Sequence, residues 1–270
     1  MAAIKKYFKK EFQVPMLTLE HDDLTDFYLS SCQKNRSAVP LLCLRMIVFL
    51  GCVGILLSSM ILTIPQMNFG HWCIFLTHWG VILITITSGS AALLSLKVCI
   101  GDPNRTSTDL QLYVKIYWVL YNITVPLAVL ITAFYWTFLT GADVDFAVDP
   151  VLDVFIHAVN AVVMIVLVVF SRTPSRLLHF LHPLGFGIIY VIFSVIYYAA
   201  GGLSPFGAVY IYPMLDWSSP GIAMITVVGS AIFLILGHVL IVLIALGRDK
   251  LSNRFFKDTH SMNIYSDAYN

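Results

Sequence analysis

The chain has 270 residues, of which 59% are apolar and 11% are charged, and its mean hydropathy is +0.84. A soluble protein of this size cannot bury so much apolar surface and still present a charged exterior, so the composition excludes that class and indicates an integral membrane protein. The net charge of +1 says little about partners, because the charges are not spread evenly along the chain; no nucleic acid is expected to bind.

The first 38 residues are polar and form a predicted N-terminal tail. Their KKYFKKEF stretch (residues 5–12) interleaves lysines with aromatic residues, which fits either a solvated tail or an amphipathic helix on an anionic membrane surface. The acidic cluster Glu20–Asp26 is interpreted as a linker. No cleavable signal peptide is expected, because the first apolar segment begins only near Pro40.

Six apolar segments follow, each long enough for a helix to cross the bilayer. The sequence therefore predicts an all-α, polytopic membrane protein: a six-helix transmembrane domain over residues 39–247, followed by a C-terminal tail over 248–270. The segments run over about Leu41–Ile64, Trp72–Leu96, Tyr113–Leu139, Val151–Phe170, Leu177–Ala200 and Gly221–Gly247.

The 16 basic residues all map to one face of this arrangement. They lie in the tails, in the second and fourth connections and at the adjoining helix ends, whereas the connections at 65–71, 140–150 and 201–220 contain none. The positive-inside rule then places the basic face and both termini in the cytoplasm. The sequons at Asn35, Asn104 and Asn122 are consequently expected to carry no glycan.

The two longer outer connections differ in character. Residues 140–150 contain Asp143, Asp145 and Asp149 and are predicted to be an exposed acidic loop. Residues 201–220 are rich in glycine, proline and aromatic residues, which favours a lid at the membrane interface. Tyr210, Tyr212 and Trp217 are expected at the level of the lipid headgroups.

Polar groups within the fourth span raise the question of function. Asp153, His157 and Asn160 are spaced by four and three residues and are predicted to share one helix face. Ionisable groups at membrane depth are costly and usually face a cavity or a bundle interior. The rise per residue places His157 roughly 9 Å below the outer end of its span, and Thr77 roughly 7–8 Å below the outer end of another.

A hydroxyl and an imidazole at one depth can act as nucleophile and base, with a third group orienting the base. Thr77, His157 and Asp153 are therefore the candidate catalytic residues. The alternative is structural: a threonine in a membrane helix often binds a carbonyl one turn back, and a histidine often bridges two helices. His78 competes with His157 for the role of base.

Other side chains suggest less chemistry. His179 and His182 lie near the predicted headgroup region, and His238 is expected to bridge helices. The five cysteines, all in the first hundred residues, show no disulfide or metal spacing. Metal-binding, nucleotide-binding and soluble-hydrolase motifs are absent from the sequence, so no cofactor and no metal are predicted.

The run FIHAVNAVVMIVLVVFSRTPSRLLHFLHPLGFGIIYVIFSVIYYAAGG (Phe155–Gly202) and the segment YIYPMLDWSSPG (Tyr210–Gly221) resemble the rolling stone family of multi-pass membrane proteins. FLTHWG (Phe75–Gly80) and YWVLYNITVPLAVLITAFYW (Tyr117–Trp136) resemble that family as well. The likeness covers about residues 40–247. It implies a plasma-membrane protein acting in myoblast fusion and supplies no molecular mechanism.

The chain is also similar in pattern to the androgen-induced gene family, which includes the androgen-dependent TFPI-regulating protein. Those proteins are multi-pass threonine hydrolases of fatty acid esters of hydroxy fatty acids. Their threonine after an aromatic-rich span entry and their histidine early in a later span match Thr77 and His157. Where that family has further small polar residues beside its histidine, this chain has Ala158 and Val159, so the resemblance assigns no oxyanion partner.

Two hypotheses therefore stand. The first is a non-enzymatic role in cell–cell fusion or membrane organisation, with membrane lipids and other membrane proteins as partners. The second is intramembrane hydrolysis of lipid esters by Thr77, His157 and Asp153. Ion transport is disfavoured, because three ionisable groups at depth are too few for a relay across the membrane. The oligomeric state does not follow from the sequence.

Overall fold

A computed structural model describes residues 9, 11–101, 110–140 and 149–256. This part of the chain contains six helices long and apolar enough to cross a membrane, and no β-strand. The predicted all-α, six-span architecture is confirmed. The helices are α1 (Val39–Ile74), α2 (Leu76–Ile100), α3 (Leu112–Leu139), α4 (Pro150–Phe170), α5 (Leu177–Ala199) and α6 (Pro220–Phe255).

Consecutive helices run in opposite directions, and α3 is the most buried of the six. Its aromatic residues Tyr117, Trp118 and Tyr121 are almost fully enclosed and form the centre of the largest core cluster. We call the end of the bundle where the described basic residues lie the basic end, and the opposite end the pocket end. Predicted cytoplasmic sidedness of the basic end stays a prediction.

Two helix boundaries differ from expectation. Residues 65–71, predicted as a connection, continue α1 as far as Ile74, with Pro65 inside the helix and a kink at Asn68. Asn68 has φ 65° and ψ 164°, and its Oδ1 accepts a hydrogen bond from the His71 N–H at 2.9 Å. The amide thus caps the turn that follows the kink, which lets the chain resume a helical path. At the other end of the chain, α6 continues beyond residue 247 to Phe255.

Two of the helices contain a π-helical turn at the pocket end. The last turn of α3, Tyr135–Leu139, is π-helical, and so is Phe155–Val159 near the start of α4. A π-turn holds one more residue than an α-turn and changes which side chains face the neighbouring helices. Such turns occur frequently at functional sites.

Residues 11–38, which we call the N-terminal strap, lie against the basic end. Phe27 is fully buried and packs edge-on against Trp118 with ring centroids 5.3 Å apart. The Glu11 carboxylate accepts a hydrogen bond from the Leu177 N–H at 3.0 Å, and Arg176 donates to the Thr18 carbonyl at 2.9 Å. The strap therefore differs from the solvated tail and linker expected from its polarity. The KKYFKKEF stretch (residues 5–12), for which an amphipathic helix was one alternative, lies mostly outside the described residues.

Buried arginines hold the helices together at the basic end. Arg45, on α1, is fully buried and donates to the Ala91 carbonyl, to the Ser95 hydroxyl at 2.7 Å and to the Tyr117 hydroxyl at 3.2 Å. Arg248, on α6, donates to the Val168 carbonyl at 2.9 Å. Charged guanidinium groups in the interior need acceptors, so these bonds hold α1, α2 and α3 together through Arg45 and α4 and α6 together through Arg248.

Candidate functional site

The pocket end contains a small polar pocket of about 50 Å³ between α1, α2, α3, α4 and the connection before α6. Thr77, His157 and Asp153, the three candidate catalytic residues, all line it. The other lining residues are Thr63, Met67, Phe75, His78, Tyr135, Leu139, Asp149, Leu152, Ile156, Phe206 and Tyr212.

Thr77 is the second residue of α2. The helix begins at Leu76, with extended Phe75 before it, and the first N–H that bonds back along the chain is that of His78, to the Phe75 carbonyl. The N–H groups of Leu76 and Thr77 therefore point out of the helix, as the first N–H groups of any helix do. The positive end of the helix dipole adds to them, which makes the surroundings of the Thr77 hydroxyl favourable for negative charge.

His157 and Asp153 form a buried pair on α4. Nδ1 of His157 lies 2.8 Å from Oδ1 of Asp153, and both side chains are almost fully buried. A neutral imidazole that donates its Nδ1 proton to a carboxylate leaves Nε2 as an acceptor. This is the arrangement of a general base held in one orientation by a carboxylate.

The two π-turns meet at this histidine. The His157 ring stacks on the Tyr135 ring with centroids 3.5 Å apart and an interplanar angle of 5°. The Tyr135 side chain is also close enough to the Asp153 carboxylate for a hydrogen-bonding interaction. Tyr135 therefore fixes both members of the pair, because its ring limits rotation of the imidazole while its hydroxyl approaches the carboxylate.

The same π-turn separates Asn160 from the pair. Asn160 does not line the pocket, and its side-chain amide donates to the Ile156 carbonyl at 2.7 Å. The prediction that Asp153, His157 and Asn160 share one face assumed regular α-helical spacing, and the extra residue in the π-turn breaks that spacing. Asp149, assigned from the sequence to the acidic loop, instead caps α4 by accepting from the Val151 and Leu152 N–H groups at 2.9 Å.

His78 lines the pocket but is held differently from His157. Its ring stacks on Trp72 with centroids 4.4 Å apart, and its Nδ1 bonds to the Trp72 carbonyl. No carboxylate is recorded among its hydrogen-bond partners in the described part of the chain. Of the two histidines, His157 is thus the one paired with an acid.

Residues 200–219 connect α5 to α6 at the pocket end, and we call them the lid; their position at the membrane interface stays a prediction. Tyr212, one of the residues expected to face the lipid headgroups, lies inside the protein. It is buried, packs edge-on against Phe75 with centroids 5.8 Å apart, and lines the pocket. Its hydroxyl is close enough to interact with the side chain of Thr77 and with the backbone N–H groups of Leu76 and Thr77. Burial raises the pKa of Tyr212, so its hydroxyl keeps its proton at neutral pH.

A larger apolar cavity of about 330 Å³ adjoins the polar pocket. It lies between α3, α5 and α6, and four residues line both spaces: Thr77, Tyr135, Leu139 and Tyr212. The candidate nucleophile is therefore on the boundary between a polar pocket and an apolar one. This size is typical of small-molecule sites.

Sequence reasoning missed Tyr135, Tyr212 and the apolar cavity. The position of the Tyr135 side chain depends on a π-turn, which side-chain periodicity does not reveal. The position of Tyr212 depends on the path of a connection without regular structure. Among the described residues, no cluster of three or more histidine, cysteine, aspartate or glutamate side chains is arranged to hold a metal ion. All five cysteines are free thiols.

Comparison with known proteins gives one clear likeness. The profile of a family described as protein rolling stone matches residues 1–267. The protein rolling stone of Drosophila melanogaster is 33% identical over 243 residues, which is 86% of this chain and 85% of the relative. No solved structure matches the chain.

Proposed function

This chain belongs to the rolling stone family of membrane proteins, whose name states no chemistry, and we propose from the geometry of the polar pocket that the protein is an intramembrane hydrolase of lipid esters. The observation that carries the proposal is the convergence of Thr77, His157 and Asp153 on one pocket. Fatty acid esters of hydroxy fatty acids, the substrates implied by the resemblance to the androgen-induced gene family, are the leading candidates.

In this mechanism the Thr77 hydroxyl attacks the ester carbonyl while Nε2 of His157 takes its proton. Asp153 keeps the imidazole in the required tautomer and stabilises the imidazolium that forms. His157 then gives the proton to the leaving alcohol, which departs and leaves an acyl group on Thr77. A water molecule activated by His157 hydrolyses this acyl-enzyme and restores the threonine.

The negative charge on the carbonyl oxygen needs donors that are in place before the reaction. The N–H groups of Leu76 and Thr77 and the protonated Tyr212 hydroxyl, which interact with one another in the free protein, lie around Thr77 and can supply these donors when the substrate oxygen replaces the tyrosine oxygen as the acceptor. They would act as the oxyanion hole, a role for which the sequence offered no candidate.

Labelling by a fluorophosphonate probe in lipid nanodiscs tests the nucleophile. We expect the wild-type protein and Thr77→Ser to be labelled, because both carry a hydroxyl, and the nearly isosteric Thr77→Val to remain unlabelled. His157→Ala should lose labelling as well. Thr85→Val is the matched control, since the Thr85 hydroxyl is bonded to the Val81 carbonyl one turn back on the same helix. Labelling of folded Thr77→Val at the wild-type rate would refute the proposal.

A role in cell–cell fusion at the plasma membrane is the second candidate, favoured by family membership and the implied association with myoblast fusion. The test is rescue of fusion in cultured myoblasts that lack the protein. Equal rescue by wild type and Thr77→Val would show that fusion does not need the chemistry. Rescue by the wild-type protein alone would show that fusion requires the hydrolytic chemistry. Failure of both proteins to rescue would contradict the fusion role.

A further inference from the structure

The apolar cavity between α3, α5 and α6 has no role in the chemistry described so far. Its deep end, toward the basic end of the bundle, is formed by Leu127, Leu184 and Leu234, one from each helix. Its other end reaches Thr77 and Tyr212. The cavity is thus an apolar space that begins at the candidate nucleophile and extends along the bundle.

A cavity of about 330 Å³ is large for the space between packed helices. Interiors leave few voids larger than a water molecule, and large apolar cavities stay dry and take up apolar ligands. The described residues that line this one include no aspartate, glutamate, lysine, arginine or histidine. Its walls therefore suit a hydrocarbon chain and offer no ion pair to a charged headgroup.

The cavity reaches the outside of the bundle at α5. Ile188 and Ile192 line it, and both are more than half exposed on the helix surface, where a bilayer would surround them with hydrocarbon. Few residues of α5 are buried, fewer than in any of the other five spans. A chain can therefore enter sideways from the membrane without crossing a polar surface.

We propose that this cavity binds the acyl chain of the ester, and that its deep end sets the longest chain the protein accepts. The inference rests on the proposed hydrolase function for the position of the carbonyl at Thr77. His157, which must protonate the leaving oxygen, lines the polar pocket but not the apolar cavity. The alcohol part of the ester consequently faces the polar pocket and the lid, and the acyl part lies on the apolar side.

Two glycines of α5 provide a matched pair of variants. Gly187 lines the cavity near its deep end, where a Cβ would lie 3.5 Å from Cδ1 of Leu234. Gly185, one half-turn away, does not line the cavity and has no side chain within 4 Å of a Cβ position. Gly187→Leu shortens the cavity from its deep end, whereas Gly185→Leu adds the same side chain elsewhere on the helix.

The experiment compares hydrolysis of p-nitrophenyl butyrate and p-nitrophenyl palmitate in nanodiscs. For Gly187→Leu we expect kcat/KM for the palmitate to fall at least about tenfold relative to the butyrate, since a pocket discriminates by about that factor or more per misplaced methylene. Gly185→Leu should leave the ratio unchanged. Ala231→Leu, on the α6 wall, repeats the test if Gly187→Leu does not fold. An unchanged ratio in both cavity variants would overturn the inference.

A binding measurement separates this inference from the hydrolase proposal. Thr77→Val protein is irradiated with a diazirine-bearing fatty acid, and the labelled peptides are mapped. We expect label on residues 184–192 and 226–234, reduced in the Gly187→Leu background. If this label appears but the wild-type protein hydrolyses none of the esters, the acyl-chain site is retained and the hydrolase proposal is rejected. If the wild-type protein hydrolyses the esters but the label lies only outside these segments, the hydrolase proposal is retained and the acyl-chain site is rejected.

Discussion

The bond between the Asp153 carboxylate and Nδ1 of His157 decides which imidazole nitrogen carries the proton. With Nδ1–H donated to the carboxylate at 2.8 Å, Nε2 is free of a proton and can accept one from a hydroxyl. The Asp153 backbone carbonyl, 3.1 Å from Nδ1, is a second acceptor for the same proton, so both oxygens favour the tautomer with the proton on Nδ1. The chemistry proposed for Thr77 depends on this tautomer.

Asp153→Asn tests that dependence. The amide keeps the shape of the side chain but can donate to Nδ1, which favours the wrong tautomer, so we expect kcat to fall by about 10³-fold with KM little changed. Asp216→Asn is the control, because Asp216 is a carboxylate at the same end of the bundle that does not line the pocket. Wild-type kcat in folded Asp153→Asn would remove Asp153 from the mechanism.

Tyr212→Phe tests the oxyanion role of the lid tyrosine. The ring and its packing on Phe75 remain, but the hydroxyl near Thr77 is lost. A donor to the oxyanion acts mainly in the transition state, so kcat should fall by about 10²-fold. Tyr210→Phe, on the same lid but outside the pocket, should be unchanged. A rise in KM at constant kcat would instead assign Tyr212 to substrate binding alone.

The sequence identified Thr77, Asp153 and His157 as candidate catalytic residues but missed the contacts that Tyr135 and Tyr212 make with them. Thr77, Asp153 and His157 were placed by span boundaries and helical rise, which are regular enough to give depth. Tyr135 and Tyr212 were not, because one is positioned by an extra residue in a helix and the other by a loop. The depth of a side chain in the membrane can be calculated from one helix alone, whereas a contact between two side chains also depends on how the second element is placed.

Among the elements, α1 shows how a helix continues where a loop was expected. Hydropathy falls over residues 65–71, and Pro65 usually marks a boundary, so the sequence predicted a connection there. Asn68 instead turns the backbone at φ 65° and caps the next turn with its own side chain. The His71 N–H thereby has an acceptor at the point where the helix resumes.

Two substitutions at Asn68 separate the cap from the backbone strain. Both Asn68→Gly and Asn68→Ala lose the cap. Alanine keeps the strain that a Cβ causes at φ 65° and ψ 164°, whereas glycine removes it. We expect the alanine variant to have a free energy of unfolding about 1–2 kcal/mol lower than the glycine variant. Denaturant unfolding in detergent micelles measures the difference. Equal stabilities would mean that the kink relaxes in the variants.

For the whole molecule, the uneven distribution of basic residues predicts which end faces the cytoplasm. The described structure agrees with the alternation on which that prediction relies, since the spans run antiparallel and the basic residues gather at one end. Sidedness itself stays a prediction. The fold class followed from composition and hydropathy, whereas the docking of the N-terminal strap did not, because a polar segment carries no periodic signal for a buried Phe27.

Thiol accessibility in intact cells measures the sidedness. In a background with the native cysteines replaced by serine, Ser218→Cys in the lid should react with an impermeant maleimide from outside. A protein that keeps only Cys32, in the strap, should react after permeabilisation alone. Both positions are exposed at opposite ends of the bundle. Reaction of Cys32 in intact cells would invert the predicted orientation.

The paired π-turns have a consequence for how the molecule tolerates insertions and deletions. Each holds one surplus residue, so the segments on either side of it are rotated relative to each other by about 100° compared with an uninterrupted α-helix. Removing Ala158 would restore regular winding in α4 and swing Asp153 away from its present direction while leaving the helix anchored at the basic end. Deletion of this one residue would therefore move Asp153 out of the pocket in a protein that still inserts and folds.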